Sequence, residues 1–274
     1  MTIEYGAKSD VGQVRKNNED NYIIDEKTGL YIVCDGMGGH SSGEVASKLA
    51  IDVIAKNFSQ SVQKQQNPDS TQVMFGESNP KISGTANRLV SSIRLANQVI
   101  FESSRNYPQN QGMGTTVVAV SAFENTFIIS WVGDSRVYLI RSGRIQQMSI
   151  DHSLVQEQVS KGLITDSQAE SSDYKNILTR ALGAAEIVEV DTIEVPASED
   201  DYLLLCSDGL TRMLTDEQMM NVFKKFENPQ NICDNLIAQA NQAGGRDNVT
   251  AIVVHKKSGN IWDKFIKVVG SKTN

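Results

Sequence analysis

Apolar residues along the chain fall into two patterns, and each predicts a different kind of element. At 30–34, 116–122, 127–132, 137–140, 202–206 and 249–254 they form short unbroken runs, β-branched or aromatic in character and closed by turn residues. Such runs predict strands, and their lack of polar alternation predicts strands covered on both faces. Between residues 127 and 148 the order is strand, Gly133-Asp134-Ser135, strand, Ser142-Gly143, strand, which predicts an antiparallel meander.

Elsewhere the spacing lengthens to that of a helix. Val45, Leu49 and Val53 recur within 41–57, Leu89, Ile93, Ala96 and Ile100 within 88–101, and Ile232, Leu236 and Ala240 repeat the pattern later. Antiparallel sheet carrying one-faced helices is an α+β plan. The stretch 59–84 is rich in glutamine, serine, asparagine and proline without periodicity, and predicts a surface loop that carries no chemistry. The tail 256–274 mixes Trp262, Phe265, Ile266, Val268 and Val269 with lysines, and predicts a short helix packed on the domain.

Composition narrows the function classes. At 274 residues with 39% apolar and 22% charged positions, the chain can bury one large core, so one domain over 1–255 is expected. A net charge of −7 disfavours a nucleic-acid partner, whose binding rests on lysine and arginine displacing counterions. Cys34, Cys206 and Cys233 lie far apart, the first two ending apolar runs, which suggests a reducing compartment. No stretch has the length of a membrane span, and 1–8 has no secretory pattern, so the expected location is cytoplasmic.

The candidate chemistry lies in four aspartates. Asp35 follows the run 30–34, Asp134 follows 127–132, Asp208 follows 202–206, and Asp247 precedes 249–254, so each stands at a sheet rim. One Asp-Gly is an ordinary turn signal. The set is different, because Asp35-Gly36-Met37-Gly38-Gly39 has more glycine than a turn needs. Carboxylates gathered at one rim repel and raise one another's pKa unless a cation lies between them. Oxygen ligands without a cysteine or histidine pair favour magnesium or manganese over zinc. Two such ions would activate water for in-line attack on phosphorus, and no protein nucleophile is then needed.

In order along the chain stand Ser9-Asp10-Val11-Gly12, Arg15-Lys16-Asn17-Asn18-Glu19-Asp20-Asn21, Asp35-Gly36-Met37-Gly38-Gly39-His40, Gly114-Thr115-Thr116 and Val132-Gly133-Asp134-Ser135-Arg136. Asp151-His152-Ser153, Leu178-Thr179-Arg180-Ala181-Leu182-Gly183, Cys206-Ser207-Asp208-Gly209-Leu210 and Gly245-Arg246-Asp247-Asn248-Val249-Thr250 follow. These segments resemble the metal-dependent protein phosphatases of the 2C type, particularly their bacterial serine/threonine members.

The resemblance implies a four-layer αββα sandwich, two antiparallel sheets face to face with helices outside. It also implies hydrolysis of phosphoserine and phosphothreonine on proteins, against a serine/threonine kinase as the opposing enzyme, by a monomer. Asp35 would bridge two Mn2+ or Mg2+ ions, the Gly36 carbonyl would bind one of them, and Asp208 and Asp247 would complete the pair. Asp20, with Glu19, would hold ordered waters, and Asp134 with Asp208 resembles the site of a third, looser ion. Arg15 matches the phosphate-binding arginine, in keeping with the two-pronged grip of a guanidinium.

Met37 stands where many eukaryotic relatives carry a histidine proposed to protonate the leaving oxygen, and a thioether cannot do so. His40, His152 or a water remain open for that role. The segment 149–173 resembles a mobile flap, with Asp151 or Ser153 as helix cap and Gly162 as helix end. Two rivals share the fold: a metal-free pseudophosphatase acting as a binding module, which the presence of Asp35, Asp208 and Asp247 argues against, and a phosphatase of small molecules.

Overall fold

A computed structural model describes residues 2–38, 42–65 and 74–257. Among the described residues are eleven strands: β1 (Ile3–Asp10), β2 (Asp20–Asp25), β3 (Leu30–Met37), β4 (Gly114–Thr115), β5 (Val117–Phe123), β6 (Thr126–Val132), β7 (Arg136–Arg141), β8 (Arg144–Gln147), β9 (Asp191–Pro196), β10 (Tyr202–Cys206) and β11 (Val249–Lys256). They form two sheets of antiparallel pairs, ordered β1-β11-β10-β7-β8 and β2-β3-β5-β6-β9, with β4 against the end of β3. Helices α1 (Ser42–Gln65) and α2 (Gly84–Asn106) cover the second sheet. Short helices α3 (Leu154–Ser160), α4 (Asp166–Glu170) and α5 (Asp208–Thr211) precede α6 (Asp216–Lys225) and α7 (Pro229–Gln242), and α5 to α7 cover the first sheet.

The apolar runs explain the layering. Along β3, Leu30, Ile32 and Cys34 pack under α1 and α2, while Tyr31 and Val33 point into the space between the sheets. Along β10, Leu204 and Cys206 meet α6 and α7, while Leu203 and Leu205 enter the same central space. Every second residue of a strand faces a different apolar layer, so no polar alternation survives. Three buried layers separate four structural ones, the expected αββα sandwich.

Two local expectations need correction. Residues 127–141 do not form a hairpin: β6 pairs with β5 and β9, β7 pairs with β10 and β8, and Gly133-Asp134-Ser135 carries the chain from one sheet to the other. Gly133 makes that crossing at φ +108°, with Thr116 Cγ2 only 2.6 Å from where a Cβ would stand. Only the second turn, Ser142-Gly143, closes a hairpin.

The second correction concerns α1, which runs on through Gln65 into the expected loop and centres its buried face one residue along, with Leu49 and Val53 half-buried against the same core. Ala46, Ala50, Ile54 and Phe58 lie against the sheet, whereas Val45 is 38% exposed. The two alanines lie where the helix approaches the sheet, and small residues carry little weight in a count of apolar positions. Ile54→Ala is expected to cost about 2–5 kcal/mol in urea unfolding and Val45→Ala under about 1 kcal/mol. Equal costs would restore the original face.

The spacings in α2 and α7 hold as expected: Leu89, Ile93, Ala96, Ile100, Ile232, Leu236 and Ala240 are all buried. Ser153 rather than Asp151 caps α3, accepting from the Gln156 N–H, and Gly162 follows its end at φ +69°. The tail helix expected beyond Lys257 lies outside the described residues, as does His40.

Candidate active site

At one rim of the sandwich, residues from both sheets meet. Asp20 on β2 stands directly across from Asp35 on β3, and Gly36 follows, paired with Thr115 of β4. From the other sheet, Asp208 opens α5 just after β10, and Asp247 lies in the loop between α7 and β11. Asp134 lies in the crossover between the sheets.

The backbone of Asp35 is pinned on both sides. Its N–H donates to Thr116 Oγ1 at 3.0 Å, and its carbonyl accepts from Thr115 Oγ1 and the Thr116 N–H, both at 2.9 Å. Gly36 is crossed so closely by the Gly43 carbonyl at the start of α1 that a Cβ would collide with it. The chain therefore approaches the site here as bare backbone.

Asp20 is 5% exposed, and its Oδ2 accepts from the hydroxyls of Ser207 and Thr250, each at 2.7 Å. Asn248 ties the Arg15 loop to the rest of the rim. Its amide donates to the carbonyls of Val11 at 3.0 Å and Asn17 at 2.9 Å, and its oxygen accepts from the Glu19 N–H at 2.8 Å.

The electrostatics show a cluster under mutual repulsion. Burial, then the charges of Asp20, Asp208, Asp134 and Asp247, push Asp35 well above the ordinary carboxylate value. Burial lifts Asp20 to about 6 against the pull of its two hydroxyl partners. Burial also lifts Asp208 to about 6 despite the guanidinium of Arg212, and burial and the charge of Asp208 lift Asp134 to about 7. Glu19 is raised as well, by burial first.

Two buried oxygens, Asp20 Oδ1 and Asp208 Oδ1, have no hydrogen-bond partner. Buried acceptors without donors and carboxylates that raise one another's pKa are what a divalent cation relieves, and an all-oxygen set suits a hard ion. The residues therefore fit the metals that the aspartates imply. Among the described residues no group of three or more acidic, histidine or cysteine side chains is already placed to hold a metal ion. A guanidinium stands among three of the carboxylates instead.

That guanidinium belongs to Arg212, which the sequence reading missed. Its Nη2 pairs with Asp208 Oδ2 and lies 3.7 Å from Asp134 Oδ2, while its Nη1 lies 3.8 Å from Asp247 Oδ2. The signal was present: Arg212 follows Asp208 by one helical turn, the spacing at which opposite charges meet. Arg15, half exposed, bonds Asp247 Oδ2 at 2.8 Å and stands at the mouth of the cluster.

His152 is occupied elsewhere. Its Nδ1 accepts from the Gly133 N–H at 3.1 Å, so the ring hydrogen lies on Nε2, 3.2 Å from Asp191 Oδ2. Its ring stacks on Trp131, and its backbone N–H donates to the Gly133 carbonyl at 2.9 Å, which fastens the base of the 149–173 segment to the Asp134 crossover. Arg136 grips Asp151 with Nε at 2.9 Å and Nη2 at 2.7 Å on the same side. Met37 lies opposite Gly114 in β4.

Comparison with known proteins agrees with this fold. Residues 8–249 match the family model described as Protein phosphatase 2C. The serine/threonine phosphatase stp of Listeria innocua serovar 6a is 36% identical over 252 residues, which cover 91% of this chain and 94% of that one. The serine/threonine phosphatase PstP/Ppp of Mycobacterium tuberculosis has a TM-score of 0.79 at 32% identity, over 94% of this chain and 100% of that one. The catalytic domain of serine threonine protein phosphatase PstP, solved in complex with two manganese ions, has a TM-score of 0.76 at 32% identity, over 93% of this chain and 99% of that one. By the span of the family match and the identity to these relatives, this chain belongs to the protein phosphatase 2C family.

Proposed function

We propose that this phosphatase removes phosphate from serine and threonine side chains of proteins, with Asp35, the Gly36 carbonyl, Asp208 and Asp247 holding two divalent ions, manganese or magnesium. When bound, the ions supply Lewis acidity toward water and the phosphoryl oxygens. The observation that carries the reading is the meeting of Asp20, Asp35, Asp208 and Asp247 from both sheets, with carboxyl pKa values raised at Asp20, Asp35 and Asp208 and unpartnered buried oxygens on Asp20 and Asp208. The manganese-bound relative supports the metal.

The chain's own groups divide the remaining work. Arg15 bonds Asp247 through one nitrogen and is half exposed, so its remaining N–H groups can grip two oxygens of a phosphate. Asp20 and Glu19 would accept hydrogen bonds from water held by the ions. With Met37 unable to donate and His152 turned to Asp191, His40 and solvent water are the proton sources left for the leaving serine or threonine oxygen in this reading.

The proposed ligands run from Arg15 to Asp247, which supports 1–255 as one catalytic domain and a single chain as the working unit. A serine/threonine kinase that phosphorylates the same substrates is the expected opposing enzyme. Cys34, Cys206 and Cys233 are buried free thiols, which suits a cytoplasmic location. Among the described residues no helix is long and apolar enough to cross a membrane.

The test is phosphate release from phosphoserine and phosphothreonine peptides, with a small aryl phosphate alongside, in Mn2+, in Mg2+ and in chelator. Peptide hydrolysis that vanishes in chelator and returns with metal is expected. Hydrolysis that survives chelation overturns the metal site, and turnover of the aryl ester without any peptide overturns the protein substrate.

A further inference from the structure

We propose that the Arg212 guanidinium supplies, from within the chain, the positive charge that Asp134 and Asp208 would otherwise draw from a third metal ion. The loaded site would then hold two ions and one side-chain cation. This rests on the binuclear reading above and concerns only the space beside the ion pair.

The geometry is specific. Arg212 caps the end of α5, one turn after Asp208, and its planar fork reaches carboxylates from three separate segments. These are Asp208 itself, Asp134 of the crossover at 3.7 Å, and Asp247 of the loop before β11 at 3.8 Å. The side chains of Asp134 and Asp208 are only 11% and 12% exposed, so the space between them is largely closed to water. A cation lodged there cannot be joined by a second without strong repulsion at short range.

The division of Asp208 supports the same assignment. The guanidinium takes Oδ2, and Oδ1 stays without a hydrogen-bond partner. Arginine thus leaves Asp208 one oxygen for the ion pair and occupies the other through the same nitrogen that reaches Asp134. A guanidinium also keeps its charge throughout the working pH range and does not depart on dilution, unlike a weakly held ion. Arg212 touches carboxylates and not the reacting atoms, so it is a positioning residue.

The experiment counts Mn2+ on the full chain by equilibrium dialysis and calorimetric titration, after stripping and reloading. The wild type is expected to saturate at about two ions per chain. Arg212→Gln and Arg212→Asn should each admit one further, weaker ion, and Arg212→Lys, which keeps the charge, should hold the wild-type count. Arg212 lies at a partly exposed helix end, and folding of each variant is checked by circular dichroism.

A wild type that binds three ions, or a glutamine variant that stays at two, overturns the assignment and leaves the binuclear reading standing. A lysine variant that gains an ion along with the glutamine variant overturns it too, since charge would not be what excludes the metal. A wild type that binds no Mn2+ overturns both readings at once.

Discussion

Replacing Asp35 by asparagine is expected to cut phosphopeptide turnover by about 10³-fold or more while the fold persists. An amide keeps the shape and the backbone bonds to Thr115 and Thr116 but loses the charge that the two proposed cations would need. On the barrier, 10³-fold corresponds to about 4 kcal/mol. The same change should raise stability in chelator, because Asp35 is the carboxyl on which burial and four neighbouring charges converge.

The sign of the pH dependence follows from the raised values. A carboxyl whose folded pKa exceeds its unfolded value contributes stability at low pH, and that stability is lost as pH rises through the folded value. Asp20 and Asp208, at about 6, and Asp134, at about 7, place that loss between roughly pH 4 and pH 7. Chelated wild type should therefore melt lower at about pH 8 than at about pH 5, and Asp35→Asn should narrow the gap. Near-normal turnover in the variant, or a chelated variant less stable than chelated wild type at the higher pH, would sink this account of the site.

The second large effect is expected at Arg15. Arg15→Ala should lower kcat/KM on phosphopeptides by about 10²-fold and weaken competition by inorganic phosphate to a similar degree, because a charged two-pronged contact is lost. Metal affinity should stay level or rise, since the 2.8 Å bond from Arg15 draws on the oxygen of Asp247 that an ion would use. Arg15→Lys should recover only part of the loss, a point charge being a poor match for two phosphate oxygens. A fall in metal affinity parallel to the fall in rate would show that Arg15 supports the loop and not the phosphate.

Much of this architecture was legible before any coordinates. The unbroken runs at 30–34 and 202–206 told of strands covered on both faces, and the helical spacings in α2 and α7 named their buried residues. What escaped has identifiable causes. Gly133-Asp134-Ser135 has the composition of a hairpin turn, and nothing local says whether a chain will return along its own sheet or step to the next. In β1 the apolar pattern is broken by half-buried positions and by Gly6, whose missing side chain makes room for the backbone of α7 at Gln230. α1 was placed a residue off because Val45 outweighs Ala46 in any hydrophobic count, although the alanine lies where backbones come close.

The site was legible to a different depth. Strand ends announced where Asp35, Asp134, Asp208 and Asp247 would lie, since a sheet rim is a place and the turn signals mark it. The supports were less visible: Ser207 and Thr250 each reach Asp20 through one hydrogen bond and Asn248 reaches the Arg15 loop through three, across 187 to 237 residues of chain. Arg212 carried a readable helical spacing to Asp208 but none to Asp134 or Asp247, which only tertiary packing brings within its reach.

Because Asp20 and Asp35 ride on one sheet and Asp208 and Asp247 adjoin strands of the other, the gap between the sheets would work as a caliper for the proposed ions. Its setting is fixed by Phe127, Leu203, Leu205 and Ile252 in the middle of the molecule. Trimming one of those side chains would let the two leaves slide, and the damage would register first as a detuned affinity for metal at a rim that the altered residue never touches.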